Sequence, residues 1–159
     1  MSNVNDKVYT PEYAVNEVME IFNNLYTGGL VLEPFRGGGA FFNKLPEGSI
    51  WCEIDDGVDF LDFNGKVDWI ITNPPYSIFD EMLDKMLQVA DSIILVIPVN
   101  KILSSMPRLM SLQRTNHCIN HIHYLWSGRQ IGFPFGFPVG AVVITKDNSD
   151  IKITYSNRC

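Results

Sequence analysis

Asn73-Pro74-Pro75-Tyr76 follows directly on the apolar stretch Trp69-Ile70-Ile71-Thr72, and its residue types suit chemistry on an amine. Two adjacent prolines lack backbone donors and hold their φ angles, so they end a strand and stiffen its carboxyl end. Open α/β sheets place their ligands at that end. The turn offers two acceptors, the Asn73 side-chain oxygen and the Pro74 carbonyl. An amine conjugated to a base is a poor nucleophile because its lone pair is delocalised. Accepting both of its hydrogens draws the nitrogen toward a tetrahedral form, with the lone pair aimed at an electrophile. Tyr76 supplies a face for a flipped-out base to stack on. A purely rigid strand-end turn would use the same four residues.

A second group precedes it. Glu33-Pro34-Phe35-Arg36-Gly37-Gly38-Gly39, after the apolar Leu30-Val31-Leu32, is too glycine-rich for a helix or strand interior. Glycines there let the backbone approach a ligand. The loop matches neither the phosphate-loop nor the dinucleotide glycine pattern. Glu53 (or Asp55), at the end of the next apolar run, suits a ribose diol, because a carboxylate accepts two hydroxyl hydrogen bonds. A solvated strand-end charge meets the same pattern. Of the late histidines His117, His121 and His123, the last two alternate along a strand and share a face. No carboxylate or cysteine stands at ligand spacing from them, so no metal site is expected. Asp80 and Glu81 come close enough after Tyr76 to reach the turn, and equally suit the first turn of a helix.

These residues need elements to position them. Thr10 as N-cap and Pro11 at the first helical position open a helix carrying Val15, Val18, Met19 and Phe22 on one face. Gly28-Gly29 ends it. A short helix is expected over residues 40–45 and strands over 50–54 and 69–72. A helix over 80–89, with Phe79, Met82, Leu83, Met86 and Leu87 on one face, leads to a strand over 92–97. Residues 101–112 read as one helix despite Pro107, and 119–126, 139–145 and 151–155 as late strands. Helices alternating with short apolar strands point to a parallel α/β sheet covered on both faces. The last strands, with no helices between them, are expected to be antiparallel.

The chain has 159 residues, 46% hydrophobic and 19% charged, which suits one globular domain over residues 1–159. Cys52, Cys118 and Cys159 form no C-x-x-C pair, so a reducing, cytoplasmic setting is the expectation. The polar N-terminus lacks the apolar core of a signal peptide, and no apolar run approaches the roughly 20 residues of a membrane span. The net charge of −6 counts against autonomous tight binding of nucleic acid, although Lys101, Arg108, Arg114 and Arg129 all fall in the second half.

Thr10-Pro11, Val31-Leu32-Glu33-Pro34 with Gly39 and Phe41, Trp51-Cys52-Glu53-Ile54-Asp55, Asp59-Phe60-Leu61 and residues 68–76 occur in that order. Together they resemble the amino-group DNA methyltransferases, N6-adenine-specific branch, well over residues 9–87 and more loosely beyond. The resemblance implies a Rossmann-like α/β sheet with helices on both faces, mostly parallel with antiparallel terminal strands, and S-adenosyl-L-methionine as cofactor. It implies that Thr10 and Pro11 hold the methionine carboxylate, and that Glu33, Pro34, Phe35, Gly37 and Gly39 form the loop beneath the methionine moiety. By the same resemblance Glu53 takes the ribose, Ile54 one side of the adenine slot, and Asp59 and Phe60 the adenine amine and ring. Asn73, Pro74, Pro75 and Tyr76 form the catalytic loop, and one of Phe133, Phe135 or Phe137 a second wall of the base pocket.

Two departures from that family are visible. Glu53 and Asp59 are about six residues apart, at most ~20 Å of extended chain, where family members usually place a helix and a strand. The sheet is therefore expected to be trimmed between its second strand and the catalytic strand. No target-recognition domain follows the core, so specificity would come from short loops, a homodimer mate or a separate protein. The implied partner is DNA, with adenine flipped out as the target. Adenine in RNA, a glutamine side-chain amide in a protein, and a non-catalytic binding module are the alternatives.

Overall fold

The computed structural model describes residues 9–132 and 135–156. Its elements are α1 (Glu12–Leu25), β1 (Val31–Glu33), β2 (Ile50–Trp51), β3 (Val67–Thr72), α2 (Phe79–Val89) and β4 (Ala90–Pro98), then α3 (Asn100–Leu103), α4 (Met106–Arg114), β5 (Cys118–Ser127), β6 (Pro138–Thr145) and β7 (Lys152–Tyr155). One sheet takes the order β2-β1-β3-β4-β6-β5-β7. β1, β2, β3 and β4 are parallel, and β6 alone runs against its neighbours.

The central strands alternate their side chains between two cores, as a two-faced sheet requires. Trp69, Ile71, Ile94 and Val96 face α1, whose Ala14, Val15, Val18, Met19 and Phe22 form the apolar stripe opposite. Ile70, Ile93, Leu95 and Ile97 face the other way, against Phe79, Met82, Leu83 and Met86 of α2 and Leu112 of α4. The parallel strands thus bring the turns after β1, β2, β3 and β4 to one edge.

Five expectations need correction. Pro11, not Thr10, caps α1, and no side chain caps it, because the Thr10 hydroxyl is turned toward Asn73. Residues 40–45 form only a 3-10 turn over Phe42–Lys44. The second strand stops at Trp51, where Glu53 accepts a bond from the Asp55 amide and Gly57, at φ 79°, closes a turn. Residues 101–112 split into α3 and α4, because Pro107 sits in the first turn of α4, where its missing donor costs nothing. β7 pairs parallel with β5, not antiparallel. Both edges of β6 are taken by β4 and β5, so the strand returning after β6 takes the nearby outer edge of β5 and runs in its direction.

Candidate active site

The carboxyl ends of β1, β2 and β3 surround a cleft of about 330 Å³. Its walls bring together Thr10, Glu33, Phe35, Gly37, Glu53, Ile54, Asn73 and Pro75 from the expected set. Gly38 of the expected glycine loop and Asp55, the alternative to Glu53, line it too, as do Tyr9, Arg36, Phe41 and Asp56, which were not picked out as binding residues from the sequence. A cleft of this size lies at the small end of ligand sites.

Glu33 ends β1 and is 2% exposed. Burial pushes its carboxyl up to about 8; Phe42 (through its backbone) and Arg36 pull the other way, and Glu53 adds to the rise. Its Oε2 meets no partner among the described residues. A buried carboxyl oxygen facing a cleft without a donor calls for a cationic or hydrogen-bonding ligand group.

Next to it the glycine loop is tied down by Glu53, whose Oε2 accepts a 2.7 Å bond from the Gly37 amide. Its Oε1 accepts from the Asp55 amide at 3.2 Å. Gly37 and Gly39 have φ of 50° and 81°, and a side chain at Gly39 would press on Asn43. Pro34 and Gly39 are buried beneath the loop and do not line the cleft. Arg36 pairs with Asp56 and lies 3.9 Å over the Trp51 ring. Only the arginine's place within the glycine run hinted at that pair.

Asn73 and Tyr76 lie where β3 ends. Asn73 Nδ2 donates to Thr10 Oγ1 at 3.2 Å, and the Tyr76 hydroxyl donates to Asn73 Oδ1 at 3.2 Å. Pro74 is buried, and Pro75 reaches the cleft. Phe135 meets Tyr76 edge-on at 5.7 Å between ring centres, and Phe137 beyond it is 56% exposed. Phe133 lies outside the described residues. Lys101 Nζ stands 5.6 Å over the Tyr76 ring. Gly128 leaves room for Phe135, since a Cβ there would meet the Phe135 carbonyl oxygen at 2.4 Å.

Three more expected ligand residues stand away from the cleft. Pro11 is spent on the start of α1, its carbonyl accepting from the Val15 amide at 3.0 Å. Asp59 caps the turn over Phe60–Asp62 through a 2.9 Å bond from the Leu61 amide. Phe60 is 1% exposed, in the core edge-on to Phe35. Asp80 serves the first turn of α2 and also accepts from Arg108 Nε at 2.7 Å, which holds its carboxyl below the usual range. His117 is a core histidine, bonded to the Ala90 carbonyl at 3.0 Å. Among the described residues no three His, Cys, Asp or Glu side chains converge as metal ligands, and no helix is long and apolar enough to cross a membrane.

Solved structures share this fold. The chain is similar to a presumed RNA methyltransferase, PH1948 from Pyrococcus horikoshii, at 17% identity and a TM-score of 0.74, over 91% of this chain and 89% of that one. The fold is that of the S-adenosylmethionine-dependent methyltransferases. A second similar structure is the type I restriction-modification methyltransferase subunit from Streptococcus thermophilus, at 13% identity and a TM-score of 0.67, over 97% of this chain and 48% of that one. This chain thus spans about half the length of that subunit. A third, magnesium protoporphyrin IX methyltransferase from Synechocystis PCC 6803 with the cofactor bound, aligns over 84% of this chain and 79% of that one, at 14% identity and a TM-score of 0.58. Neither a family model nor a curated protein sequence matches the chain.

Proposed function

We propose that the chain transfers a methyl group from S-adenosylmethionine to the exocyclic amine of adenine, with DNA as the substrate. The observation that carries this reading is the joining of cleft and Asn73-Pro74-Pro75-Tyr76 turn. Asn73 and Pro75 line the cleft that also holds Glu33, Glu53 and the glycine loop, and Tyr76 adjoins it through Asn73.

The residues present fit the cofactor. The partnerless, buried Glu33 oxygen suits a cationic methionine end, and Glu53 beside Gly37 suits a ribose. Ile54 offers an apolar side for an adenine ring, while Asp59 is held in its turn and Phe60 in the core. When bound, S-adenosylmethionine supplies an electrophilic methyl together with its leaving group. The protein's own share is then placement. Asn73 Oδ1 and the Pro74 carbonyl accept the two amine hydrogens and orient the nitrogen lone pair, at ~3–3.5 Å for an in-line attack. Tyr76 stacks on the base, and Phe135 closes the pocket from the side.

The similarity to an RNA methyltransferase favours a second reading, in which the adenine belongs to RNA. The test is transfer of labelled methyl to DNA, RNA and protein extract in parallel, with nucleoside digestion of any labelled nucleic acid. Label as N6-methyladenine in DNA is the expected result. Label in RNA or protein keeps the catalytic turn and overturns the substrate. Absence of label everywhere, with cofactor binding intact by calorimetry, overturns the proposed activity.

A further inference from the structure

All 18 acidic residues of the chain lie outside residues 92–146: 16 precede that stretch and Asp147 and Asp150 follow it. The stretch holds five cations, Lys101, Arg108, Arg114, Arg129 and Lys146. Topology sorts them. Lys101 follows β4 and Arg129 follows β5, both parallel to β3, so both stand at the edge that carries the Asn73–Tyr76 turn. Arg108, one turn into α4, reaches the same edge through Asp80. Arg114 ends α4 just before β5 begins, at the opposite edge, where Lys146 is paired with Asp91.

The catalytic edge is therefore divided by charge. On the β4–β5 side stand Lys101 and Arg129, with exposed Leu103, Met106 and Phe137. On the other side stand Asp55 after β2 and the exposed Glu81 and Asp84 of α2, while Asp56 is paired with Arg36 and Asp80 with Arg108. A nucleic-acid duplex laid across Tyr76 brings two phosphate backbones to this edge, and one must lie along the acidic side. A single strand can keep its phosphates over Lys101 and Arg129 while its bases meet apolar and aromatic side chains. That mixture of few cations with stacking surfaces is how single strands are held.

We infer that the substrate adenine is presented in an unpaired strand, whose backbone runs along the acid-free side formed by α3, α4 and the segment after β5. The inference rests on the proposed activity toward adenine in nucleic acid and sharpens it. The acidic side acts as a fence that rejects a second backbone by like-charge repulsion.

The experiment measures binding and methyl transfer for one DNA oligonucleotide unpaired, the same strand annealed to its complement, and the RNA of that sequence. The unpaired DNA is expected to bind at least about tenfold more tightly than its duplex. Its affinity should fall with salt at a logarithmic slope of about 1.4, as two phosphate contacts give. K101E/R129E should lower strand affinity about tenfold, and K101Q/R129Q by a smaller factor, with S-adenosylmethionine binding unchanged in both. E81Q/D84N should raise duplex affinity. Duplex bound and methylated as well as the strand overturns the inference and leaves the activity standing, as does full strand affinity in K101E/R129E. Preference for the RNA strand keeps the unpaired path and overturns DNA as substrate. Methylation of none of the three overturns the activity itself.

Discussion

Thr10 and Asn73, 63 residues apart, are joined by a 3.2 Å hydrogen bond from the Asn73 amide nitrogen to the Thr10 hydroxyl. The bond orients the amide, whose oxygen accepts from the Tyr76 hydroxyl. It also explains why Thr10 does not cap α1. We predict that Asn73→Ala abolishes transfer with cofactor binding nearly unchanged, measured by labelled-methyl transfer and calorimetry. Thr10→Val, which removes one hydrogen bond worth about 1 kcal/mol, should lower turnover about fivefold, and Thr10→Ser should restore it. Loss of cofactor binding in Asn73→Ala would make the turn a structural element instead.

Glu33 links the cleft to pH. Its folded-state pKa, about 8 through burial, lies above its ordinary value of 4.5, so the folded protein holds a proton that the unfolded chain releases. The neutral carboxyl's contribution to stability is complete below pH 4.5 and is lost as pH rises toward 8, by no more than about 5 kcal/mol at 1.36 kcal/mol per unit. Glu33→Gln should remove that decline in chemical denaturation series run between pH 5 and 9. A cationic ligand beside Glu33 favours the ionised form, so cofactor binding at pH 7 should release a proton. Calorimetry in buffers of different ionisation enthalpy measures it, and equal proton release in Glu33→Gln would assign the proton to another group.

Gly128 makes room for Phe135. A Cβ at this position would lie 2.4 Å from the Phe135 carbonyl oxygen and 2.9 Å from its ring. Gly128→Ala should therefore push the segment off Tyr76 and cut transfer, at a cost in stability of about 1–3 kcal/mol for overpacking. Thermal denaturation together with the transfer assay separates the two effects. Wild-type transfer in this variant would show that Phe135 takes no part in the pocket.

Much of this arrangement could be read from residue order. Apolar runs such as Ile93-Ile94-Leu95-Val96-Ile97, short and rich in β-branched residues, read as central strands covered on both sides, and the paired prolines after Thr72 fix where β3 must end. Long-range partners are another matter. No local rule connects Arg108 with Asp80, or Phe135 with Tyr76, because each pair meets only once the sheet is assembled. Direction in the last strands was equally hidden, since the pairing of β7 with β5 depends on β6 already lying between β4 and β5. Phe60 shows the reverse limit. Its motif suits a ligand wall, but trimming of the chain between Glu53 and Asp59 draws the ring into the core against Phe35.

Tyr76 combines two roles that substitution can separate. Its ring faces Phe135, and its hydroxyl donates to the Asn73 side-chain oxygen, the acceptor needed by the target amine. An entering amine must therefore displace the hydroxyl from Asn73. Tyr76→Ala should weaken substrate binding by ~1–3 kcal/mol through lost stacking. Tyr76→Phe keeps the stacking face and removes the hydroxyl's bond to Asn73 Oδ1, so substrate affinity should be unchanged and turnover equal to or above wild type. Separate determination of KM and kcat for both variants is the check. A drop in kcat for Tyr76→Phe would mean that the hydroxyl helps to hold Asn73 during transfer rather than yielding its place to the amine.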